Sequence, residues 1–249
     1  MSIVDVDILL QELAEAAPCG PNLEYDPAFL ELEQAVLGKA EVQYGDTITA
    51  AVPPEWKQVK KLSLDLLART RDLRVALPLL RALLALHGMA GFADGARLIQ
   101  RLVDERWDSV HPQLDPDDDL DPMLRINSLA TLADAATVLR ELKDSAFIQL
   151  PGLGPLTLRT LELANGELAA PEGQTPVSMA SLEAALRDVA AEPMQRARDA
   201  AAQAHDSIVE IEVALVRRVG SSQALNLDQL TRNLRRMRDF LASLDAPAA

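Results

Sequence analysis

Large apolar side chains recur every three or four residues along most of this 249-residue chain, and this period is the feature that most restricts its fold. An α-helix has about 3.6 residues per turn, so such a period gathers apolar side chains on one helix face. Alternating runs of β-branched residues, which are typical of strands, are nearly absent, and aromatic residues make up only 3% of the chain. We therefore expect an all-α protein built as a helical bundle.

Capping residues and helix breakers divide this pattern into separate elements. Asp26-Pro27 and Asp121-Pro122 are typical helix starts, because aspartate accepts a backbone N–H and proline needs none at the first helical position. The predicted helices cover residues 4–16 (with a capping box formed by Ser2 and Asp5), 26–38, 56–66, 73–84, 92–103 and 121–143, with a joint at Gly88 and Gly91 and loops at residues 39–53 and 111–122.

Two segments depart from the helical period. Residues 147–158 contain two prolines and two glycines between short apolar runs, and this pattern fits a small β-hairpin. Residues 166–177 are rich in glycine and proline, which is typical of a linker. The sequence therefore predicts an N-terminal helical domain at residues 1–165, a linker at 166–177 and a helical extension at 178–249.

The extension carries two heptad seams, in which apolar residues alternate at spacings of three and four. Gly220 is a typical helix stop and Asn226 a typical helix cap, so the two helices should form a C-terminal antiparallel helical hairpin. The seams can pack against each other within one chain, which predicts a monomer or weak dimer, or they can form an interface between chains. Their residues are Met194, Ala197, Ala201, Ala204, Ile208, Ile211 and Leu215 in the first helix, and Leu227, Leu230, Leu234, Met237, Leu241 and Leu244 in the second.

The charge is negative and uneven. The formal net charge is −14, which would repel a phosphate backbone, so nucleic acid is excluded as a partner. Residues 1–55 hold 11 acids against Lys39 alone, whereas residues 217–238 hold six arginines against Asp228. This basic segment is either a solvated helix face or a docking surface for an acidic protein. Its candidate interaction residues are Arg232, Arg235, Arg236 and Arg238.

The sequence predicts neither membrane insertion nor secretion. The longest apolar stretches are broken at Pro78 and Arg81, short of the roughly 20 residues that a membrane-spanning helix needs. The N-terminus has acids and no basic residue before Lys39, unlike a secretory signal. The single cysteine, Cys19, cannot form an internal disulfide. These features indicate a cytoplasmic protein.

The aspartate cluster from Asp115 to Asp121 invites interpretation as a calcium site, but the spacing does not fit. A calcium loop needs glycine at its sixth position and glutamate at its twelfth, and a loop starting at Asp115 has Leu120 and Ile126 there. We expect Asp121 to cap a helix instead, with its neighbours favouring that N-terminus electrostatically.

No catalytic, cofactor-binding or metal-binding constellation emerges. The three histidines, His87, His111 and His205, are scattered without metal-ligand spacing. His87 lies on an apolar stripe and is expected in the core, and Cys19 is expected to be structural. The protein is therefore predicted not to be an enzyme, and the rival hypothesis is a small hydrolase or small-molecule binder using His87, His111 or Cys19.

Two tryptophans are candidate anchors for a partner. Trp56 and Trp107 each adjoin an amphipathic stripe, so either can belong to the core or contact another protein. Three arginines are expected to pair with nearby acids rather than with a partner: Arg71, Arg74 and Arg125, the last with the acidic loop at residues 117–121.

Several segments between about residues 15 and 165 form a recognisable series when they are taken in order. They are Pro18-Cys-Gly-Pro-Asn-Leu-Glu-Tyr-Asp-Pro27, Tyr44-Gly-Asp46, Pro54-Glu-Trp56, Leu67-Ala-Arg-Thr-Arg-Asp-Leu-Arg-Val75, Gly88-Met-Ala-Gly-Phe92, Trp107-Asp-Ser-Val-His-Pro112 and Asp119-Leu-Asp-Pro-Met-Leu-Arg125. In this order they resemble the N-terminal region of the ImpA/TssA family of type VI secretion system assembly proteins.

The resemblance implies a cytoplasmic, non-catalytic scaffold that helps to join the baseplate, inner tube and contractile sheath of an injection machine. Members of the family usually run longer and form rings through a distinct C-terminal domain. This chain stops directly after the heptad hairpin, so we expect either a piece of a longer protein or a short member without the ring-forming part. The alternative is a general protein-binding adaptor unrelated to secretion.

Overall fold

One long apolar helix, α4 (Leu73–Glu105), runs through the centre of the protein, and most other elements pack against it. The computed structural model describes residues 2–39, 42–44, 47–173 and 175–244. Within these ranges the structure is mostly helical, which confirms the predicted all-α fold class. The other helices are α1 (Val6–Leu10), α2 (Pro27–Ala35), α3 (Trp56–Leu67), α5 (Met123–Leu129), α6 (Val138–Asp144), α7 (Leu158–Ala164), α8 (Met179–Arg187), α9 (Ala191–Val219) and α10 (Asp228–Ser243).

Helix α4 combines two of the predicted helices. It is broken at Gly88, whose φ of 60° and ψ of −143° are not helical, so the predicted joint is confirmed at this residue. A Cβ at Gly88 would overlap the backbone of Ala146, which explains why glycine is needed here. By length and composition alone α4 could cross a membrane, but 61% of its most apolar 18-residue stretch is buried inside this chain. Its apolar surface is therefore used in the core.

The first helix is shorter than predicted. Helix α1 ends at Leu10 instead of residue 16, because the carbonyl of Gln11 accepts hydrogen bonds from the Arg71 guanidinium, the closer at 2.7 Å. Asp5 caps α1 through the N–H of Ile8, whereas the Ser2 hydroxyl lies 2.9 Å from an Asp94 oxygen. The predicted capping box between Ser2 and Asp5 is therefore wrong.

Helix α2 begins as predicted and ends three residues early. Asp26 accepts the N–H of Ala28 at 2.9 Å, which confirms it as a cap. The helix ends at Ala35, and Gly38 then takes a positive φ of 65°, so that Lys39 can pair with Val52 across an isolated β-bridge.

The predicted loop at residues 39–53 contains a small antiparallel hairpin, so the prediction of an irregular segment is wrong. Strands β1 (Val42–Tyr44) and β2 (Thr47–Thr49) pair here. Strands of three residues are too short to show an alternating pattern, so this hairpin could not be predicted from the sequence. Gly45 and Asp46, which belong to the predicted loop, lie outside the described residues.

The predicted long helix at residues 121–143 is two helices. Asp121 accepts the N–H of Met123 at 3.0 Å and so caps α5, as predicted. A 3₁₀ turn follows α5, and Asp134 then accepts the Ala136 N–H at 3.1 Å and the Thr137 hydroxyl proton. These local bonds replace the helical ones, which is a common effect of aspartate.

The predicted β-hairpin is confirmed. Strands β3 (Ala146–Leu150) and β4 (Gly154–Thr157) pair in antiparallel fashion and lead into α7. The Phe147 ring meets the Phe240 ring of α10 edge to face, with 6.3 Å between the ring centres. This contact joins the hairpin to the C-terminal helices.

Helices α9 and α10 form the predicted antiparallel hairpin, and α9 also packs along α4. Every heptad residue except Leu244 is buried, so both seams are used within the chain. Gly220 follows α9 with a positive φ, and the Asn226 side chain accepts the N–H of Asp228 at 2.9 Å. The stop and the cap are therefore confirmed, while the domain boundary at residues 166–177 stays a prediction.

Candidate interaction surfaces

Trp107 lies in the core and offers no face to a partner. It is 5% exposed, and the guanidinium carbon of Arg125 lies 4.8 Å from its ring centre. Arg125, itself 1% exposed, donates to the carbonyls of Pro112 at 2.6 Å, of Val110 at 2.7 Å and of Trp107. Burial lowers the pKa of Arg125 to about 10, so the group is charged at neutral pH. The predicted pairing with the acidic loop is wrong, because backbone carbonyls take all three nitrogens.

Trp56 is half-buried at the start of α3 and keeps part of its ring accessible. The guanidinium of Arg81 lies over the ring, 5.2 Å from its centre, and forms a bidentate ion pair with Glu141 at 2.7 and 3.0 Å. A cation–π contact backed by a largely buried carboxylate fixes the ring in one orientation. Of the two tryptophans, only Trp56 can contact another protein without unfolding.

The four candidate arginines of α10 have different surroundings. Arg236 forms an ion pair with Glu167 at 2.7 Å, which lowers the pKa of that carboxyl, and so ties the predicted linker to α10. Arg238 pairs with Asp239 at 2.8 Å and lies 3.1 Å from His205 Nδ1. Arg232 bonds to its own helix through the Asp228 carbonyl. Arg235 is exposed and forms no ion pair with any described residue, so its charge is accessible to a partner.

Two arginines near the start of α4 behave differently from each other. Arg74 pairs with Asp72 at 2.8 Å and with Glu24 at 3.1 Å, as predicted. Arg71 is 3% exposed and donates instead to the backbone carbonyls of Gln11 and Leu67, so its predicted pairing with an acid is wrong. Its role is to hold the chain after α1 against the core.

The candidate groups for chemistry each have a structural contact. Cys19 is buried with its Sγ 3.2 Å from the Ser109 hydroxyl. His87 is exposed, which corrects its predicted place in the core. Partial desolvation of the ring and, as the smaller cause, the charge of Lys60, whose Nζ lies 3.1 Å from Nε2, lower the pKa of His87. Among the described residues, no three His, Cys, Asp or Glu side chains lie close enough together to hold a metal ion.

The other two histidines are buried. His111 Nε2 lies 2.9 Å from the Gly20 carbonyl oxygen, and its Nδ1 has no hydrogen-bond partner among the described residues. His205 Nδ1 lies 3.0 Å from an Asp206 oxygen at the α9–α10 packing.

Sequence reasoning missed one apolar surface. Leu120, Met123 and Leu124 are 52%, 47% and 65% exposed. The predicted helix at residues 121–143 has Leu124 on its apolar stripe together with Leu129, Leu132 and Leu139, so the sequence predicts that Leu124 is buried. Leu124 also lines a cavity of about 510 Å³ together with Arg74 and His111. These three residues are spaced by three and four positions, as on a buried helix face. Only the structure, in which the predicted helix breaks after α5, shows that they are exposed.

Sequence comparison finds similarity between this chain and known proteins. The family model for the N-terminal region of ImpA of the type VI secretion system matches residues 10–134. The chain is 40% identical over 234 residues to the type VI secretion system component TssA1 of Pseudomonas aeruginosa, covering 94% of this chain and 67% of that relative.

A solved structure has the same fold. It is the N-terminal domain, including the conserved ImpA_N region, of the TssA component of the type VI secretion system from Burkholderia cenocepacia. The TM-score is 0.73 at 21% identity, over 96% of this chain and 93% of that one, so the likeness extends through the C-terminal hairpin. Together with the sequence matches, it shows that this chain belongs to the ImpA/TssA family of type VI secretion system components.

Proposed function

We propose that the chain is a non-catalytic assembly component of the bacterial type VI secretion system, which acts in the cytoplasm by docking to baseplate, inner-tube or sheath proteins. The observation that carries this proposal is its 40% identity to TssA1 over 94% of its own length. The absence of a catalytic constellation in the sequence and the structural contacts of Cys19 and His111 support a scaffold rather than a hydrolase.

The surfaces support protein binding at two places. Trp56 presents a ring that is already fixed by Arg81, so a partner covering it would lose little side-chain entropy. Arg232 and Arg235 on α10 are exposed and form no ion pair with a carboxylate of the described residues, so an acidic protein can reach them. The predicted division into residues 1–165, 166–177 and 178–249 places these two surfaces in different parts of the chain.

A secretion assay tests the proposal. The gene is deleted in the bacterium that encodes this chain, and release of the inner-tube protein into the medium is measured with and without the wild-type gene restored. We expect release to be lost and then recovered. Normal release without the gene would contradict a role in assembly and would favour an adaptor unrelated to secretion.

Binding of the purified chain to separate baseplate, inner-tube and sheath proteins then identifies the partner. Trp56→Ala or the pair Arg232→Glu and Arg235→Glu should weaken one of these interactions by about tenfold or more. Arg196→Glu, an exposed change on α9, is the matched control and should have no effect. Wild-type binding by both surface variants would remove these residues from the interface.

A further inference from the structure

The outward-facing apolar residues Leu120, Met123 and Leu124 lie within a five-residue stretch. Each exposes about half of its side chain or more, which is unusual for three large apolar residues so close together. Leu124 also forms one wall of the 510 Å³ cavity, whose other walls include Arg74, His111 and Asn127. The stretch therefore combines exposed apolar side chains with a recess that one of them lines.

Five aspartates adjoin these apolar residues in the sequence, and none of them forms an ion pair within the part of the chain that the structure describes. All five are exposed, and no Lys, Arg or His of the described residues forms an ion pair with any of them. Elsewhere in the chain, acids such as Glu24, Glu141 and Glu167 are paired with arginines. The five are Asp115, Asp117, Asp118, Asp119 and Asp121. The short segment that carries the exposed apolar residues therefore also carries a concentrated negative charge.

Several contacts of Arg125 hold the base of this surface. Arg125, the residue after Leu124, is held by three backbone carbonyls and by the Trp107 ring. Asp119 and Leu120 have φ values of 48° and 57°, a left-handed conformation that residues other than glycine rarely adopt. A surface held in one conformation loses little entropy when it binds a partner.

His111 adds a polar group to the recess. The ring is 3% exposed and lines the cavity, and its Nδ1 has no hydrogen-bond partner among the described residues. Nε2 lies 2.9 Å from the Gly20 carbonyl oxygen, so Nε2 carries a hydrogen, and Nδ1 is left as a buried polar atom without a partner among the described residues. Buried polar side-chain atoms nearly always have a partner, so this atom is a second feature, besides the apolar residues, that sets the recess apart.

From this geometry we propose that Leu120, Met123 and Leu124, with the five aspartates around them, form a docking surface for a basic protein segment. We name these eight residues the acidic–apolar patch. Lysine or arginine side chains of the segment meet the aspartates, and an aliphatic or aromatic side chain enters the recess beside Leu124. The inference rests on the proposed function, since it assigns a surface and a partner chemistry to a protein-binding component.

A peptide array tests the chemistry of the partner. The probes are overlapping peptides of about 15 residues that cover the baseplate, inner-tube and sheath proteins encoded with this chain. The full chain should bind peptides that carry several lysines or arginines and at least one large apolar residue. Binding only to acidic or neutral peptides, or to none, would overturn the proposal.

Variants of the patch test its location. One variant is Leu124→Ser, and the other changes Asp117, Asp118 and Asp119 together to Asn. Each variant should bind the selected peptides about tenfold more weakly than the wild type. Asp115 and Asp121 are left unchanged because they cap backbone N–H groups. Circular dichroism should show both variants folded, since all the altered side chains are exposed.

Matched controls separate the patch from general surface effects. Val213→Ser removes a similarly exposed apolar residue from α9, and Glu172, Glu183 and Glu210 changed to Gln remove three exposed acids. These variants should bind like the wild type. Equal loss in controls and patch variants, or no loss in either, would overturn the assignment.

The secretion assay distinguishes the two proposals. If the chain is needed for release of the inner-tube protein but Leu124→Ser binds and secretes like the wild type, the patch is wrong and the proposed function stands. If release continues without the chain, the proposed function is wrong, and the peptide measurements still decide whether the patch binds basic segments.

Discussion

Arg125 lies against the Trp107 ring, 4.8 Å from its centre, and donates a hydrogen bond to the carbonyl of the same tryptophan. Two further carbonyls, of Val110 and Pro112, complete its partners. One charged side chain thus satisfies three backbone acceptors after the end of α4 and anchors the start of α5. The same residue holds the outward face of Leu124 in place.

Removing the Arg125 donors should be severely destabilising. Arg125→Met keeps much of the apolar stem but leaves three carbonyls without their donor, so we expect a loss of about 3–5 kcal/mol in the free energy of unfolding. Urea unfolding measures it. Arg140→Met on the exposed side of α6 is the control and should change stability by less than about 0.5 kcal/mol. Similar losses for both would contradict the anchoring role.

Gly88 should not tolerate alanine. Its φ of 60° and ψ of −143° are nearly confined to glycine, and a Cβ would overlap the Ala146 backbone, so Gly88→Ala should cost more than about 2 kcal/mol. Gly152→Ala has a similar φ of 74° but open space around it, and should cost only about 1 kcal/mol. Thermal unfolding compares the two, and equal costs would show that the Ala146 contact is unimportant.

The heptad seams should stabilise the chain internally rather than join chains. Leu234 and Ile208 are fully buried, so Leu234→Ala should cost about 2–5 kcal/mol. Light scattering of the wild type should give a mass near the 27.0 kDa of one chain, or a weak dimer. A ring of about six or more chains would contradict this. A stable dimer would also contradict this prediction if Ile208→Glu separated its two chains without unfolding residues 1–165.

The Glu24–Arg74 pair should contribute only above acidic pH. Hydrogen bonds from Arg74 and Asn22 lower the pKa of the Glu24 carboxyl, so the ionised form favours the folded state. Its contribution is complete above the unfolded pKa of about 4.3 and is lost as the pH falls through the lower folded value. Glu24→Gln should therefore cost less than about 1 kcal/mol at neutral pH and progressively less under acid. Urea unfolding of the wild type and of Glu24→Gln at neutral and at acidic pH checks this. A difference in the free energy of unfolding that does not change with pH would refute it.

Calcium should not stabilise the aspartate cluster. Asp115 and Asp121 already accept the N–H groups of Asp117 and Met123, and the loop has neither the glycine nor the glutamate of a calcium loop. Only a ligand that prefers the native state raises the melting temperature, so millimolar calcium should leave it unchanged. A rise of several degrees in calorimetry would contradict the prediction.

Local signals in the sequence were sufficient for much of the fold. The apolar period of three and four residues predicted α3, α9 and α10. Asp26-Pro27 predicted the start of α2, and the glycine–proline segment predicted the β3–β4 hairpin. Each signal acts through hydrogen bonds or side-chain spacing within a few residues, so it does not depend on distant parts of the chain. The order of family-like segments likewise needed no structure.

Tertiary contacts decided which of these residues are available to a partner. The sequence places Trp107 and Arg125 on either side of the predicted loop at residues 111–122, but only packing turned three backbone carbonyls toward Arg125 instead of a carboxylate. Likewise His87 and Leu124 lie on apolar stripes in the sequence and are exposed in the structure. The physical reason is that a helical period specifies which residues share a face, whereas the neighbours that cover that face come from elements far away in the chain.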